Sequence, residues 1–284
     1  MTASYRLVKL ANDAYSIHSL AAGETFHPVI GPVAEAEALY VRQLELTKRL
    51  RGHSGEFVIW DVGLGAAANP LTVLRACRQI DSSIRLISFD QTLEPLQFAL
   101  GHVSVLPYLA GYEEHLRTLL DAHRVSFHQE KQHVAWELQV GDFPAFLEKP
   151  LAKTLPKPHA ILFDAFSPAK NPAMWTQPLF AQIYQLLDPQ RPCALPTYSR
   201  STMLRVSLLL AGFFVGAGHA TGEKEETTVA ANTLALLGQP LDQKWLQRVR
   251  RSTSAEPLWE PVYRQARLSL ETWERLQEHP QFAK

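Results

Sequence analysis

The sequence predicts an α/β fold in which a mostly parallel, seven-stranded sheet carries helices on both faces. Three observations support this. Short apolar runs such as residues 57–60 and 159–163 suit strands that are buried on both faces. Helical patterns separate these runs, and a glycine-rich turn follows the run at 57–60. Strands that alternate with helices indicate a parallel sheet with right-handed crossovers.

The elements follow in order along the chain. An N-terminal extension (1–50) holds a hairpin in residues 1–28 and a helix at 33–50 that Pro32 opens. A core (51–238) holds the sheet, and a helical tail (239–284) completes a single domain. The predicted strands are 57–60, 85–89, 136–140, 159–163, 192–197, 213–215 and 229–237, and the predicted helices of the core are 70–76, 93–103, 107–123 and 203–210.

The charge balance limits the classes of partner. Lys plus Arg and Asp plus Glu each number 28, so the net charge is zero, which argues against a broad non-specific grip on nucleic acid. A local basic patch remains open, and a solvated helix face is its alternative. The candidates in the tail are Arg248, Arg250, Arg251, Arg264 and Arg267, and those nearer the predicted cleft are Lys153, Lys157 and Lys170.

Cysteine and histidine spacing predicts neither a disulfide framework nor a metal site. Cys77 and Cys193 stand alone, which is typical of buried thiols in a reducing compartment. No apolar run approaches the roughly 20 residues that span a bilayer, and residues 1–20 lack the apolar core of a signal peptide. A cytoplasmic protein without a membrane partner is therefore expected.

The main motif is the glycine-rich turn at residues 61–69 (DVGLGAAAN), which leads from a strand into a helix. Gly63 and Gly65 allow a tight turn and a close approach of the backbone to a ligand. This context is the one that a nucleotide-binding turn requires. A glycine-rich turn without a ligand is the alternative.

Four carboxylates stand at the ends of four predicted strands: Asp61, Asp90, Asp142 and Asp164. Ligands of open α/β sheets bind beyond the carboxyl ends of the strands, so these side chains are expected to converge on one crevice. Asp90 lies 25 positions after Gly65 and suits the hydroxyls of a ribose. Helix N-caps are the alternative role for each residue.

Two cofactors fit this arrangement. NAD(P) is one, because dinucleotide-binding folds use a similar glycine pattern. S-adenosyl-L-methionine is the other, and Asp61 favours it, since Rossmann-like methyltransferases carry an acidic residue at this place whereas dehydrogenase strands usually stay apolar there.

A second run is more specific. Residues 164–175 (DAFSPAKNPAMW), with residues 24–27 (ETFH), Gly31-Pro32, residues 197–199 (TYS) and 211–213 (AGF), resemble the methyltransferase half of the bacterial bifunctional enzymes that make 5-methylaminomethyl-2-thiouridine in tRNA. The resemblance covers roughly residues 20–237. It implies a stand-alone Rossmann-like class I methyltransferase without the FAD-dependent oxidase half.

The resemblance also implies roles for individual residues. By this resemblance, the residues that bind S-adenosyl-L-methionine would be Asp61, Gly63, Gly65, Asn69, Asp90, Gln91, Gly141, Asp142 and Asp164. Asp164, Phe166 and Pro168 would face the acceptor amine, and Glu24, Lys170 and Tyr198 would bind the substrate. Phe166 and Trp175 have core packing as the alternative.

The sequence departs from the family pattern in two places. The family turn often has glycine where this chain has Ala67, which is tolerated if its φ is negative. The segment Gly222–Thr228 (GEKEETT) is acidic where the family is often basic, which weakens the case for tRNA contact by this loop.

The expected function is methylation of the aminomethyl group of 5-aminomethyl(-2-thio)uridine at the tRNA wobble position. tRNA would be a transient partner, and separate enzymes would supply the aminomethyl intermediate. Three alternatives remain open: a methyltransferase of a small amine or another acceptor, an NAD(P)-dependent oxidoreductase, and a binding module without turnover.

Overall fold

The computed structural model describes residues 4–222 and 225–283. The chain divides into two units. The first comprises Met1–Phe143, Ala160–Asp164 and Ala220–Glu225, and the second comprises Pro144–His159, Ala165–His219 and Glu226–Lys284. Both units combine helices and strands, which confirms the predicted α/β class.

The first unit begins with a small antiparallel sheet followed by short helices. Its strands are β1 (Tyr5–Lys9), β2 (Tyr15–Ser19) and β3 (Glu24–Thr25), and its helices are α1 (Pro32–Ala36), a π-helical segment (Glu37–Arg42) and α2 (Leu46–Arg51). The predicted hairpin therefore has a third strand. The prediction of one continuous helix at 33–50 is wrong, because Glu45 has a left-handed backbone with φ of 46° and interrupts it.

The main sheet of the first unit has five strands in the order β8-β4-β5-β7-β6. They are β4 (Glu56–Val62), β5 (Ser82–Asp90), β6 (Arg124–Gln129), β7 (Gln132–Val140) and β8 (Ala160–Phe163). The pairs β8–β4, β4–β5 and β5–β7 are parallel, and β6–β7 is antiparallel. The connecting helices are α3 (Ala68–Cys77), α4 (Glu94–Leu100), a 3₁₀ turn (Pro107–Leu109) and α5 (Glu113–Ala122).

Burial explains why β4 and β8 were readable from the sequence. Every residue of β8, and every residue of β4 after Glu56, is buried, as expected for strands covered on both faces. β4 also continues through Asp61 to Val62, so the prediction that this strand ends at Asp61 is wrong. The glycine turn begins only after Val62.

Two other predictions in this unit are wrong in detail. β6 was not predicted, because it is an edge strand of which only Phe127 is buried, and its remaining residues are polar or partly exposed. The helix predicted at 107–123 is a 3₁₀ turn and a separate helix α5, since Gly111 between them has φ of +83°. The two units thus hold eight main-sheet strands among the described residues, against seven predicted.

The second unit contributes three strands in the order β10-β11-β9, all antiparallel. They are β9 (Ala194–Thr197), β10 (Phe214–Gly218) and β11 (Thr227–Ala231). The strand predicted at 229–237 thus ends at Ala231, and a 3₁₀ turn (Leu234–Leu236) follows it. The helices are α6 (Phe143–Leu147), which starts on the last residue of the first unit, α7 (Pro150–Thr154), α8 (Gln177–Leu186), α9 (Thr202–Leu210), α10 (Gln243–Val249) and α11 (Leu270–Gln277), with 3₁₀ turns at Pro172–Trp175 and Pro280–Phe282.

The C-terminal segment is only partly helical. Residues 250–269 between α10 and α11 form neither helix nor strand, so the predicted helical tail is two helices joined by irregular chain. Cys77 and Cys193 are buried free thiols, as predicted. Within residues 4–222 and 225–283, no helix is long and apolar enough to cross a membrane. The division into an extension (1–50), a core (51–238) and a tail (239–284) stays a prediction.

Candidate active site

The glycine turn between β4 and α3 has the predicted form. Gly63 (φ +95°) donates its N–H to the Phe89 carbonyl at 2.9 Å, and Gly65 has φ of +51°. The ring of Phe26 lies against Gly65, where an added Cβ would come within 3.3 Å of Phe26 Cε2. Gly65 therefore has two reasons to be glycine, its left-handed backbone and this close approach.

Ala67 departs from the sequence-based expectation. Its φ is +61°, so the condition under which alanine is tolerated here, a negative φ, is not met. A left-handed backbone costs an L-residue roughly 1–2 kcal/mol, which glycine avoids. The turn therefore carries strain at this residue immediately before α3.

Asp61 is fully buried inside β4 and held by a chain of hydrogen bonds. Trp136 Nε1 donates to Ser88 Oγ at 2.9 Å, and Ser88 Oγ donates to Asp61 Oδ2 at 2.7 Å. The pKa of Asp61 is raised to about 7, chiefly by burial; the Ser88 hydrogen bond opposes this rise, and the charges of Asp90 and Asp164 contribute to it. This carboxyl group is therefore poised to change its charge near neutral pH.

Two buried oxygens on either side of the turn, one in β4 and one in α3, have no hydrogen-bond partner among the described residues. Among the described residues, no donor lies within hydrogen-bonding distance of Asp61 Oδ1 or of Asn69 Oδ1. Buried polar atoms in native structures are nearly always hydrogen-bonded, so each such exception calls for a donor from elsewhere. Together with the acidic surroundings, they fit a cationic ligand that carries hydrogen-bond donors.

Asp90 ends β5 and ties the turn to that strand. Its Oδ2 accepts the Gly65 N–H at 2.8 Å, and its Oδ1 accepts the Thr92 N–H at 3.2 Å. Burial raises the pKa of Asp90, while hydrogen bonds from the backbone of Gly65, Thr92 and Gln91 lower it. A carboxylate has about four acceptor positions, so this side chain can accept further hydroxyl donors.

Asp164 follows β8 and contacts both the turn and the N-terminal segment. Asn69 Nδ2 donates to Asp164 Oδ2 at 2.8 Å. The same oxygen lies 3.5 Å from His27 Nε2, and His27 Nδ1 lies 4.0 Å from Glu35 Oε1. The structure therefore brings Asp61, Asp90 and Asp164 to one edge of the sheet, as predicted from their positions after the strands. None of these three caps a helix.

The remaining predicted residues of the first unit line the ends of β3, β5 and β7. Gln91, Gly141 and Asp142 are exposed, and Gly141 donates its N–H to the Asp90 carbonyl at 2.8 Å. Glu24 is half-buried in β3. Asp142 and Glu24 both have interactions within the protein.

The predicted acceptor residues Phe166, Pro168, Lys170 and Tyr198 belong to the second unit. The loop after Asp164 is held there by its backbone: Trp175 Nε1 donates to the Phe166 carbonyl at 2.7 Å, and the Tyr198 hydroxyl donates to the Ala165 carbonyl at 3.0 Å. Trp175 is fully buried, which confirms core packing, whereas Phe166 is half-buried. Lys170 is exposed.

Four residues of the site were not found from the sequence: Ser88, Trp136, His27 and Glu35. Ser88 sits opposite Asp61 in the β4–β5 register, so a polar residue between the apolar Ile87 and Phe89 was the available signal. His27 lies in the ETFH run that carried part of the resemblance, but nothing in its spacing indicated a partner. Within the described residues, no group of three or more His, Cys, Asp or Glu side chains could hold a metal ion.

Known proteins with similar sequences indicate which enzyme family this chain resembles. Residues 110–233 match the family model described as S-adenosyl-L-methionine-dependent methyltransferase. The chain is 29% identical over 236 residues, 78% of its length, to the tRNA 5-methylaminomethyl-2-thiouridine biosynthesis bifunctional protein MnmC of Methylibium petroleiphilum. It is 29% identical over 235 residues, 76% of its length, to the protein of the same name in Aeromonas hydrophila. In both cases the chain spans about a third, 34%, of the relative.

Solved structures agree on the fold. The crystal structure of MNMC2 from Aquifex aeolicus aligns with a TM-score of 0.71 and 24% identity, over 97% of this chain and 83% of that one. Spermidine synthase from Thermotoga maritima aligns with a TM-score of 0.50 and 12% identity, over 96% and 83%. The resemblance inferred from the sequence is confirmed, and so are the predicted enzyme class, a methyltransferase, and its cofactor, S-adenosyl-L-methionine.

Proposed function

We propose that the chain is an N-methyltransferase that methylates the aminomethyl group of 5-aminomethyl(-2-thio)uridine at the wobble position of tRNA. One observation carries the proposal. Asp164, the first residue of the DAFSPAKNPAMW run, accepts a hydrogen bond from Asn69 of the glycine turn. If the cofactor binds at this turn, a group that can accept a hydrogen bond from an amine would lie beside the methyl donor. The names of the curated relatives, which refer to the biosynthesis of 5-methylaminomethyl-2-thiouridine in tRNA, support the choice of a tRNA acceptor.

We propose that the residues around the glycine turn hold the cofactor. They are Asp61, Gly63, Gly65, Asn69, Asp90, Gln91, Gly141, Asp142 and Asp164. The unpartnered oxygens of Asp61 and Asn69 accept hydrogen bonds from the methionine end, and Asp90 accepts them from the ribose hydroxyls. When bound, S-adenosyl-L-methionine supplies a methyl group on a sulfonium, which needs alignment more than activation.

The protein then has to orient the acceptor amine. Asp164 accepts a hydrogen bond from the amine and directs its lone pair towards the methyl group. Phe166 and Pro168, which follow Asp164 in the chain, are proposed to contact the acceptor base, and Glu24, Lys170 and Tyr198 the rest of the nucleotide. An aromatic side chain that stacks on an extruded base is the usual arrangement for chemistry on a nucleobase.

Contact with tRNA is proposed to use cations of the second unit, first Lys153, Lys157 and Lys170 near the predicted cleft and then the arginines of the C-terminal segment. Arg248, Arg250, Arg251, Arg264 and Arg267 are all exposed. The acidic segment that argued against tRNA is partly compensated, since Glu226 pairs with the buried guanidinium of Arg205 at 3.0 Å. Glu223 and Lys224 of that segment lie outside the described residues. A tRNA substrate also implies separate enzymes that make the aminomethyl group, and a cytoplasmic location.

The test is a methylation assay on tRNA. Purified protein is incubated with S-adenosyl-L-methionine and with tRNA whose wobble uridine carries a 5-aminomethyl group. The tRNA is then digested to nucleosides, and their masses are measured by mass spectrometry. We expect a gain of one methyl group on the wobble nucleoside, and no gain on tRNA whose wobble uridine is unmodified. Methylation of small primary amines without methylation of the tRNA would instead support the small-amine alternative.

Replacement of Asp90 tests the cofactor part of the proposal. Asp90→Ala removes the acceptor for the ribose and for the Gly65 N–H, so we expect the affinity for S-adenosylhomocysteine in calorimetry to fall about 10- to 100-fold, as for the loss of a hydrogen bond to a charged group. Asp90→Asn keeps one acceptor oxygen and should lose less. The exposed Asp81 provides the matched control, Asp81→Ala. Unchanged affinity in Asp90→Ala would remove this residue from the ribose site.

A further inference from the structure

The imidazole of His27 lies between two carboxylates of different elements. Its Nε2 is 3.5 Å from Asp164 Oδ2, after β8, and its Nδ1 is 4.0 Å from Glu35 Oε1, in α1. The side chains of His27, Glu35 and Asp164 are only 9%, 8% and 15% exposed. These three residues, which we name the Glu35–His27–Asp164 array, are thus largely removed from bulk water.

The backbone that carries His27 is fixed and strained. Phe26 donates its N–H to the Ile17 carbonyl at 2.8 Å, the Ser16 hydroxyl donates to the Phe26 carbonyl, and the Phe26 ring lies against Gly65. His27 itself has a left-handed backbone with φ of 47°. Strained non-glycine residues that the surroundings hold in place cluster at functional sites.

The reaction proposed above needs such a group. An alkylamine is protonated at neutral pH and has no lone pair for attack until it loses that proton. Carboxylates are ordinarily weak bases, so Asp164 alone orients the amine better than it retains the proton. Histidine is the side chain whose ordinary pKa suits proton transfer near neutral pH, and His27 has a carboxylate near each ring nitrogen.

Resting on the proposed function, we propose that His27 accepts, through Asp164, the proton that the acceptor ammonium must lose, and that Glu35 orients the imidazole for this step. One proton passes from the ammonium to Asp164 and on to His27 Nε2, which leaves a neutral amine and an imidazolium. The neutral amine would then attack the methyl group of bound S-adenosyl-L-methionine, forming the N–C bond as the C–S bond breaks with its electron pair going to sulfur. The imidazolium returns its proton to solvent before the next turnover. His27 is therefore a positioning and proton-accepting residue that acts through Asp164.

The first test needs no methylation. The Cε1–H proton resonance of His27 is recorded by NMR at pH 7 in the unaltered protein, in Glu35→Gln and in Asp164→Asn. Loss of either carboxylate should move this resonance, because each carboxylate lies within 4.0 Å of a ring nitrogen of His27. His128→Asn, an exposed histidine of β6, provides the control and should leave the His27 resonance unchanged. A His27 resonance that is the same in all four proteins would overturn the array.

The second test separates a proton role from a structural one. His27→Asn keeps a residue that tolerates the left-handed backbone. We expect kcat/KM to fall about 100-fold at pH 7 and to recover roughly tenfold per pH unit towards pH 9, because the amine must then lose its proton to solvent. A merely structural lesion would lower the rate by the same factor at every pH, and that result, or an unaltered rate, would overturn the proposal. If the unaltered protein does not methylate the tRNA, the proposed function fails, while NMR still decides the array.

Discussion

Replacing Asp164 by alanine is expected to stop methyl transfer while cofactor binding continues. The carboxylate is the group next to Asn69 that can hold the acceptor amine, so kcat should fall by at least about 100-fold, the lower range for a group that handles the proton of a reacting atom. The affinity for S-adenosylhomocysteine should stay within about threefold, less than about 1 kcal/mol. Single-turnover methylation and calorimetry measure the two effects separately.

The conservative variant sharpens this test. Asp164→Asn can still accept the hydrogen bond from Asn69, but it lacks the negative charge that faces His27. It should therefore fold like the unaltered protein and be nearly as inactive as Asp164→Ala. Asp121→Ala, an exposed position on α5, is the matched control and should keep full activity. Full turnover by Asp164→Ala would refute the role of this carboxylate.

Replacing Asp61 by asparagine should stabilise the fold at alkaline pH. The pKa of Asp61 rises from 3.8 to about 7 on folding, so the unfolded chain ionises first and the folded state loses stability as the pH rises from about 4 to about 7. At about 1.4 kcal/mol per unit, the full cost above pH 7 is about 4 kcal/mol. Asparagine stays neutral and can still accept the Ser88 hydrogen bond, so it should avoid this cost.

Denaturant unfolding at two pH values checks this expectation. The free energy of unfolding of Asp61→Asn, relative to the unaltered protein, should be greater at pH 8 than at pH 4.5, while the exposed Asp121→Asn shows no such difference. The same variant should bind S-adenosyl-L-methionine more weakly at pH 8, because the site then lacks the negative charge of Asp61 that attracts the cationic ligand. A relative stability that does not change between the two pH values would contradict the raised pKa of Asp61.

The fold was largely readable because its central strands are buried on both faces. Residues 57–60 of β4 and the whole of β8 are uninterrupted apolar runs, and the glycine turn marks the start of α3. β6 was missed because an edge strand with one buried residue has no comparable pattern. The helix at 33–50 was predicted as continuous because the apolar spacing persists across Glu45, while the backbone of that residue does not follow it.

The site residues that could be predicted from the sequence are those whose positions follow from the strand topology alone. Asp61, Asp90 and Asp164 meet because parallel strands end at one edge, which follows from their places in the sequence. Ser88 and His27 were not readable, because their partners depend on strand register and on how the N-terminal segment packs. The left-handed φ of Ala67 could not be predicted from the sequence either, because an alanine at this position is as compatible with the first turn of a helix as with a strained turn.

The hydrogen bond from Gly65 to Asp90 has a consequence for how the cofactor is captured. The carboxylate proposed for the ribose also holds the glycine turn, because it accepts the Gly65 N–H at 2.8 Å. One side chain would therefore fix both the shape of the turn and the ligand, and such preorganisation lowers the entropic cost of binding. Loss of Asp90 should for this reason act twice, by removing an acceptor for the ribose and by loosening the backbone that lies beside it.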